Sequence, residues 1–225
     1  YNDVTGYTNP DESEHDFFTI GHTSTSVSLA MGLAKGRDLT GGKENIIAVI
    51  GDGSLSGGEA LEGLNNAAML GSNMIIIVND NDQSIAENHG GLYKGLKELR
   101  DTNGESPDNI FKAMGLEYYY LGDGHDVSAL IKLFTSVKDI DRAVVLHIHT
   151  IKGKGLKYAE ENKHNVELID KILEKAKQRN GLTHREAAVL LDCDIKEKNE
   201  EIFKLAEQIK KDFYGNRIVL FAPLY

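Results

Sequence analysis

The chain has little cysteine, little proline and no long apolar segment. Its single cysteine, Cys193, excludes an internal disulfide framework and is typical of a protein from a reducing compartment. No apolar run approaches the length that spans a bilayer, and no charged-then-apolar leader opens the sequence. Three prolines in 225 residues and a 40% share of hydrophobic residues favour an ordered globular protein. We therefore expect a cytoplasmic protein with a full hydrophobic core.

The chain also lacks a basic stripe of the kind that neutralises phosphates in nucleic acids. Its formal net charge is -10, with 25 basic against 35 acidic side chains. This balance disfavours a nucleic-acid partner and makes a small-molecule ligand the default expectation. The chain begins at Tyr1 without a methionine and ends at Tyr225 directly after an apolar run, so both ends are expected to be cut from something longer.

Composition changes abruptly near residue 165. Residues 1–165 hold 21 of the 23 glycines and carry 14 basic against 24 acidic side chains, whereas residues 166–225 balance 11 against 11. Such a change is typical of a domain boundary. We predict one domain over residues 1–164 and an appendage over residues 165–225.

The two parts also differ in pattern. The first part alternates strand-like apolar runs, at 46–50, 74–78 and 143–148, with helical stretches, which is the α/β pattern. The last part reads mainly as helices and contains a capping box at Thr183 and Glu186. The fold class predicted is therefore α/β with a parallel sheet, followed by a mainly helical C-terminal appendage.

Two apolar runs that are each followed by an oxygen-bearing loop are the most informative feature. The run 46–50 leads into Asp52 within Gly-Asp-Gly, and the run 74–78 leads into Asn81 within Asn-Asp-Asn. Between them residues 57–70 read as one helix closed by a glycine, so the whole predicts a right-handed parallel βαβ unit. Both loops then open at the same edge of one sheet, where ligands of open parallel sheets bind.

The side chains at these strand ends match the preferences of a hard cation. Magnesium takes oxygen ligands and is commonly held by one or two protein groups together with phosphate oxygens. Asp52, Asn81 and a backbone carbonyl near Gln83 would supply the protein share, and a diphosphate much of the rest. Gly-Asp-Gly alone is a weak indicator, because any tight strand-to-helix turn favours glycine and a small polar residue. The 29-residue spacing from Asp52 to Asn81 strengthens it.

Several motifs around this pair resemble a known family. Gly-Asp-Gly followed about thirty residues later by Asn is typical of thiamine diphosphate enzymes, and residues 1–164 resemble the thiamine diphosphate-binding domain of the 1-deoxy-D-xylulose-5-phosphate synthase family. Transketolases share the metal motif but usually differ where this chain has Gly-His-Thr-Ser-Thr-Ser. The motifs that carry the resemblance lie at 13–16, 21–26, 51–54, 79–81, 87–88, 123–126 and 152–155.

The resemblance implies a cofactor site with Mg²⁺ and thiamine diphosphate. Asp52, Asn81 and the carbonyl at Gln83 would hold the magnesium ion. Gly53 and Ser54 would contact the diphosphate at the turn that opens the helix, where free amides and the helix dipole favour anions.

The resemblance also implies two candidate catalytic side chains, His22 and Lys152. His22 and Ser24 match positions that line the cofactor and substrate pocket, and Lys152 matches a lysine near the diphosphate or the substrate. Each has a structural alternative. His22 could start a helix with its ring bonded to backbone, and Lys152 could be a solvated loop charge.

The reaction implied by the resemblance joins pyruvate to glyceraldehyde 3-phosphate. The thiazolium carbanion of the cofactor attacks a keto group and serves as an electron sink while carbon dioxide leaves, which gives 1-deoxyxylulose 5-phosphate for isoprenoid and thiamine synthesis. The family uses a glutamate from a pyrimidine-binding domain and usually dimerises. We therefore expect a homodimer or pairing with such a domain, and no turnover by the isolated chain. An alternative is the cofactor-binding subunit of a split transketolase-like enzyme.

Beyond residue 165 the synthase pattern stops. Residues from about 168 to 225 resemble the N-terminal lead-in of radical S-adenosylmethionine tyrosine lyases of the iron-only hydrogenase maturase type. Cys193 has no partner thiol in the sequence and is expected to be an inert structural residue. The joined pattern suggests an inert hybrid of two genes' pieces or a real fusion.

Other polar residues have structural interpretations. Asp126 is expected to N-cap the helix that follows it, which leaves the role of His125 open. His147 and His149 alternate on a strand, where metal binding is not expected without carboxylate or cysteine neighbours. The charge-rich stretch 94–100 is expected to be a solvated helix.

Overall fold

Four parallel strands form the sheet on which the first part of the chain is built. The computed structural model describes residues 7–82, 88–155, 165–193 and 195–215. The strands are β1 Ile47–Gly51, β2 Met74–Asp80, β3 Glu117–Leu121 and β4 Ala143–His149. Their order across the sheet is β1-β2-β4-β3, and each neighbouring pair is parallel. The predicted α/β class and the three predicted strand runs are confirmed.

The register of β1 and β2 sets their ends side by side. Gly51 pairs with Asn79. Asp52 follows the first of these residues directly, and Asn81 follows the second by two positions. Both predicted loops therefore open at the same edge of the sheet.

The crossover helix between these strands, α3 Gly58–Ala67, is shorter than the predicted helix 57–70. Residues 68 and 69 form a turn instead. Gly71 follows it with a φ of 70°, a left-handed conformation that glycine adopts without strain. The predicted parallel βαβ unit is confirmed.

Further helices lie along the first part of the chain. They are α1 Ser26–Thr40, α2 Asp52–Leu55, α4 Gly91–Asp101, α5 Ile110–Ala113 and α6 Val127–Val137. Local signals set their ends. Gly41 ends α1 with a φ of 75°, and the Asp126 side chain accepts a hydrogen bond from the Ala129 N–H and caps α6, as expected.

The hydrophobic core lies on both faces of the sheet, because successive side chains along β2 point to opposite faces and all but one of them are buried. One face packs against α1, α3, α4 and α5, and its cluster includes Ala48, Ile50, Ile76, Val78, Leu64, Leu96 and Phe111. The other face packs against α6, and its cluster includes Ile75, Ile77, Val144, Leu146 and Val137.

Helices α1 and α3 approach closely at Gly63. A Cβ atom on this residue would lie 2.9 Å from the backbone nitrogen of Ser28 and 3.0 Å from the Val27 side chain. The Ser28 hydroxyl donates to the Glu59 carbonyl at 3.0 Å, so a hydrogen bond fixes the same contact. Gly36, within α1, faces open space instead.

Replacing these two helical glycines with alanine is expected to have opposite effects. Gly63→Ala should lower the free energy of unfolding by about 1–3 kcal/mol, because the added methyl group forces the two helices apart. Gly36→Ala gains helix propensity without a new contact and should raise it by up to about 1 kcal/mol. Urea denaturation followed by circular dichroism measures both changes. Effects of the same sign would contradict the close approach.

The described residues of the second compact unit form three helices. The chain divides into Tyr1–Thr150 and Ile151–Tyr225, and the second unit contains α7 Val166–Lys177, α8 His184–Leu191 and α9 Lys196–Tyr214. The predicted capping box is present, with reciprocal hydrogen bonds between Thr183 and Glu186. The mainly helical appendage is confirmed. Its core contains Ile169, Ile172, Leu173, Val189 and Cys193.

The predicted domain boundary after residue 164 borders a stretch, 156–164, that lies outside the described residues. The boundary therefore stays a prediction. Within the part of the chain that the structure describes, none of the helices is both long enough and apolar enough to cross a membrane.

Candidate functional site

Asp52 is buried at the point where β1 passes into α2, and the residue is 2% exposed. Neutral donors surround its carboxylate. The backbone N–H groups of Gly53 and Asn81 donate to it, and Asn88 Nδ2 donates to Oδ2 at 2.6 Å. The structure thus joins Asp52 to the backbone of Asn81, the two predicted magnesium ligands.

The charge of Asp52 is poorly compensated. Burial and the negative charge of Asp80 raise the pKa of Asp52 from 3.8 to about 6, against the opposing effect of the backbone hydrogen bonds. Among the described residues, no lysine, arginine or histidine forms an ion pair with this carboxylate. A buried carboxylate without a counter-charge is costly when ionised, and a bound cation would offset that cost.

Asp80, at the end of β2, is also buried but is paired with positive and polar groups. Its Oδ2 accepts hydrogen bonds from Arg100 Nη1 at 2.6 Å and from His147 Nε2 at 2.8 Å. Burial alone would raise its pKa, but the bonds from His147 and Arg100 outweigh burial and lower the pKa of Asp80 to about 2. Asp80 is therefore an ionised group whose counter-charge comes from within the fold.

The ring of His147 is fixed from β3 as well. Its Nδ1 lies 2.8 Å from the Tyr118 hydroxyl, and Tyr118 stacks on Phe111 with ring centroids 5.6 Å apart. Burial raises the pKa of Tyr118, so its hydroxyl keeps its proton at neutral pH. Tyr120 packs against the same ring edge-on at 5.1 Å. These contacts hold Nε2 in place against Asp80.

Ser24 connects the motif at residues 21–26 to α2 by a hydrogen bond. Its hydroxyl donates to the Ser54 carbonyl at 2.7 Å, and its φ of 77° is unusual for a residue other than glycine. The approach requires a glycine opposite, because a Cβ on Gly57 would lie only 2.0 Å from the Ser24 Oγ. The structure therefore brings Ser24 and Ser54 together, beside Gly53 and Asp52.

His22, for which a catalytic role is predicted, makes a hydrogen bond to the backbone in this structure. Its Nδ1 donates to the Thr23 carbonyl at 2.7 Å, which is the backbone bond expected from the structural alternative. Gln83 lies outside the described residues. Lys152 belongs to the second unit, and its placement at the cofactor site stays a prediction.

The ligand set suits magnesium better than a transition metal. Among the described residues, no group of three or more His, Cys, Asp or Glu side chains could hold a metal ion. A magnesium site with phosphate ligands needs only one or two protein carboxylates, since phosphate and water oxygens complete its octahedron. Asp52 supplies one buried carboxylate, and the amide of Asn81 is a second candidate oxygen.

Sequence reasoning missed the partners of Asp80. The stretch 94–100 is helical as predicted, in α4, but the expectation that it is solvated was wrong. Leu96 and Leu99 are buried, and the Arg100 side chain is 10% exposed. The helical spacing of Leu92, Leu96 and Leu99 is the signal that indicates a buried face.

Comparison with known proteins gives a consistent family. A family model described as 1-deoxy-D-xylulose-5-phosphate synthase matches residues 1–106 and 102–150. The 1-deoxy-D-xylulose-5-phosphate synthase of Clostridium beijerinckii is 38% identical over 197 residues, which cover 72% of this chain and 32% of that protein. 1-deoxy-D-xylulose-5-phosphate synthase 1 of Geobacter metallireducens is 40% identical over 194 residues, which cover 70% and 31%.

A third relative extends the similarity into the second unit. The 1-deoxy-D-xylulose-5-phosphate synthase of Clostridium tetani is 33% identical over an alignment of 248 positions, gaps included. The alignment covers 93% of this chain and 40% of that protein. A match over this share of the chain must pass residue 165, so the expectation that the synthase pattern stops there was wrong. The chain spans about a third of the length of these curated relatives.

A solved chain from Mycobacterium smegmatis, described as a thiamin diphosphate-dependent enzyme, matches with a TM-score of 0.44 and 20% identity over 58% of this chain and 22% of its own. The assignment rests on the sequence matches. Because the family model covers residues 1–150, about two thirds of the chain, and the relatives agree with it, the chain belongs to the 1-deoxy-D-xylulose-5-phosphate synthase family.

Proposed function

We propose that the sheet edge at Asp52 and Asn81 binds Mg²⁺ and the diphosphate of thiamine diphosphate, as part of a transferase of the 1-deoxy-D-xylulose-5-phosphate synthase type. The observation that carries the proposal is the buried Asp52 carboxylate, which has neutral partners among the described residues and a pKa of about 6. Membership of the family supports the same assignment.

Each residue of the site has a separate task in this proposal. Asp52 and the side chain of Asn81 ligate the metal ion, together with a backbone carbonyl near Gln83. Gly53 and Ser54 present backbone to the diphosphate, where the absence of a side chain at Gly53 permits close approach.

The remaining candidate residues act on the reacting groups. Ser24 and His22 line the pocket beside Ser54, and the hydrogen bond from Ser24 to the Ser54 carbonyl supports the placement of Ser24 near the diphosphate turn. Lys152 interacts with the diphosphate or the substrate. When bound, thiamine diphosphate supplies the carbanion and the electron sink for decarboxylation, and this chain anchors and orients it.

The substrates proposed for the complete enzyme are pyruvate and glyceraldehyde 3-phosphate, with 1-deoxyxylulose 5-phosphate and carbon dioxide as products. The relatives that carry the synthase name are about three times as long as this chain. A pyrimidine-binding domain and a dimer partner are therefore part of the proposal for the whole protein.

Substitution of Asp52 is expected to abolish metal-dependent cofactor binding. Calorimetric titration with MgCl₂ and thiamine diphosphate should give saturable binding to the native chain, and Asp52→Asn should weaken it by about 100-fold or more, because the substitution removes the negative charge that the carboxylate presents to the ion. Asp139→Asn, at a carboxylate that is 85% exposed, is the matched control and should bind like the native chain. Absence of binding by the native chain would overturn the proposal.

The same substitution should stabilise the unliganded chain at neutral pH. The pKa of Asp52 is about 6 in the folded state against 3.8 ordinarily, so above pH 6 the folded state bears the cost of a buried charge that the unfolded state does not. Asp52→Asn removes this cost and should raise the free energy of unfolding by about 2 kcal/mol at pH 8.

The gain should shrink as the pH falls from 6 to 4, because the native carboxylate then takes up a proton in the folded state. Urea denaturation at pH 8, 6 and 4 measures the trend. A destabilised Asp52→Asn chain at pH 8 would indicate instead that the carboxylate serves packing.

The 225-residue chain alone is not expected to turn over substrate. In the family a pyrimidine-binding domain supplies the glutamate that activates the cofactor, and this chain spans about a third of its relatives. Incubation with pyruvate, glyceraldehyde 3-phosphate, Mg²⁺ and thiamine diphosphate, followed by NMR of the products, tests this. Formation of 1-deoxyxylulose 5-phosphate would contradict the expectation.

A further inference from the structure

The turn that carries Asn81 does not have a relaxed conformation of its own. Asp82 has a φ of 61°, in the left-handed region that costs free energy for residues other than glycine, although Asp and Asn tolerate it best. The Asp82 N–H donates to the Asp80 Oδ1 at 3.0 Å, so the turn closes on the carboxylate that precedes Asn81. Contacts from outside the turn add to this internal hydrogen bond.

Arg100 supplies those contacts from the last turn of α4. Its Nη1 lies 2.6 Å from the Asp80 Oδ2, and its Nη2 lies 2.7 Å from the Asp82 Oδ1. One planar guanidinium therefore forms ion pairs with the residues on both sides of Asn81. A lysine has a single charged nitrogen and cannot present two donors in this fixed fork.

The grip on the two carboxylates also determines where Asn81 lies. Asp80 is held in place a second time by His147 at 2.8 Å, so the Asp80 end of the turn is anchored to the sheet. The backbone N–H of Asn81 donates to the Asp52 carboxylate. Without Arg100, two negative side chains would flank this contact with no cation between them, and their repulsion would favour opening of the turn.

Packing of α4 does not require this arginine. Leu96 and Leu99 are each 1% exposed and already fix the helix against the core. The Arg100 side chain instead forms ion pairs with two aspartates of a single turn, Asp80 and Asp82.

We propose that Arg100 is a positioning residue that clamps the 80–82 turn and so presents Asn81, together with Asp52, to the metal ion. The clamp itself is a feature of the unliganded chain, whereas its consequence for magnesium rests on the proposed function.

Amide hydrogen exchange on the unliganded 225-residue chain tests the clamp directly. Arg100→Gln should speed exchange of the Asn81 and Asp82 amides by about tenfold or more, because their bonds to Asp52 and Asp80 depend on the shape of the turn, while amides in the middle of β1 and β2 keep their rates. Arg100→Lys, with one contact at most, should fall between Arg100→Gln and the native chain. Lys97→Gln, an exposed charge on the same helix, is the matched control and should change neither amide.

A second variant guards against a folding defect in the Arg100 series. The Asp82 side chain is 57% exposed, so Asp82→Asn should fold normally while removing the negative charge from one half of the clamp. It should also speed exchange at Asn81. Unchanged exchange at Asn81 and Asp82 in both Arg100→Gln and Asp82→Asn would overturn the proposal, as would a uniform increase across the sheet, which is the result of a purely structural role.

Titration with MgCl₂ at saturating thiamine diphosphate tests the consequence. Arg100→Gln should weaken magnesium binding by about 10- to 100-fold, with Arg100→Lys intermediate and Lys97→Gln unchanged. If the native chain and Arg100→Gln bind magnesium with equal affinity, the proposal that Arg100 positions Asn81 for the metal ion is overturned. If the native chain binds no cofactor but exchange rises locally in Arg100→Gln, the proposed function fails while the clamp stands.

Discussion

The carboxylates of Asp52 and Asp80 are buried at the ends of two neighbouring parallel strands, β1 and β2. The structure around them depends on how their negative charges are balanced. Asp52 and Asp80 are 2% and 0% exposed, and burial together with the charge of Asp80 raises the pKa of Asp52. Arg100 and His147 bond to Asp80, whereas Asp52 has neutral donors among the described residues. The result is one carboxylate completed by the fold and one that a cation can complete.

The order of the strands produces this asymmetry. β4 lies beside β2 on the side away from β1, so His147 pairs with Val78 in the ladder and its ring reaches Asp80. α4 places Arg100 against Asp80 as well. The connectivity of the sheet therefore decides which of the two carboxylates is available to a ligand.

Much of this arrangement can be predicted from local pattern, and the rest cannot. The strand, helix and strand around Asp52 and Asn81 follow from apolar runs and glycines that are close in sequence. The bonds to Asp80 come from residues 20 and 67 positions away, and they depend on a strand order that no local pattern specifies. Arg100 was concealed further by its charge-rich surroundings, which are typical of a solvated helix. The contacts that complete the site are therefore the long-range ones.

Packing alone gives no reason for an aspartate at position 52. An asparagine has nearly the same shape and carries no charge to bury, although its NH₂ group would take the place of one of the two oxygens that accept from the surrounding donors. The aspartate opposes folding at neutral pH, and that opposition disappears only when a proton or a cation arrives. A metal ion that binds the folded state alone recovers the lost stability through its own binding free energy. The proposed cation would account for the raised pKa, the neutral partners and the clamped turn together.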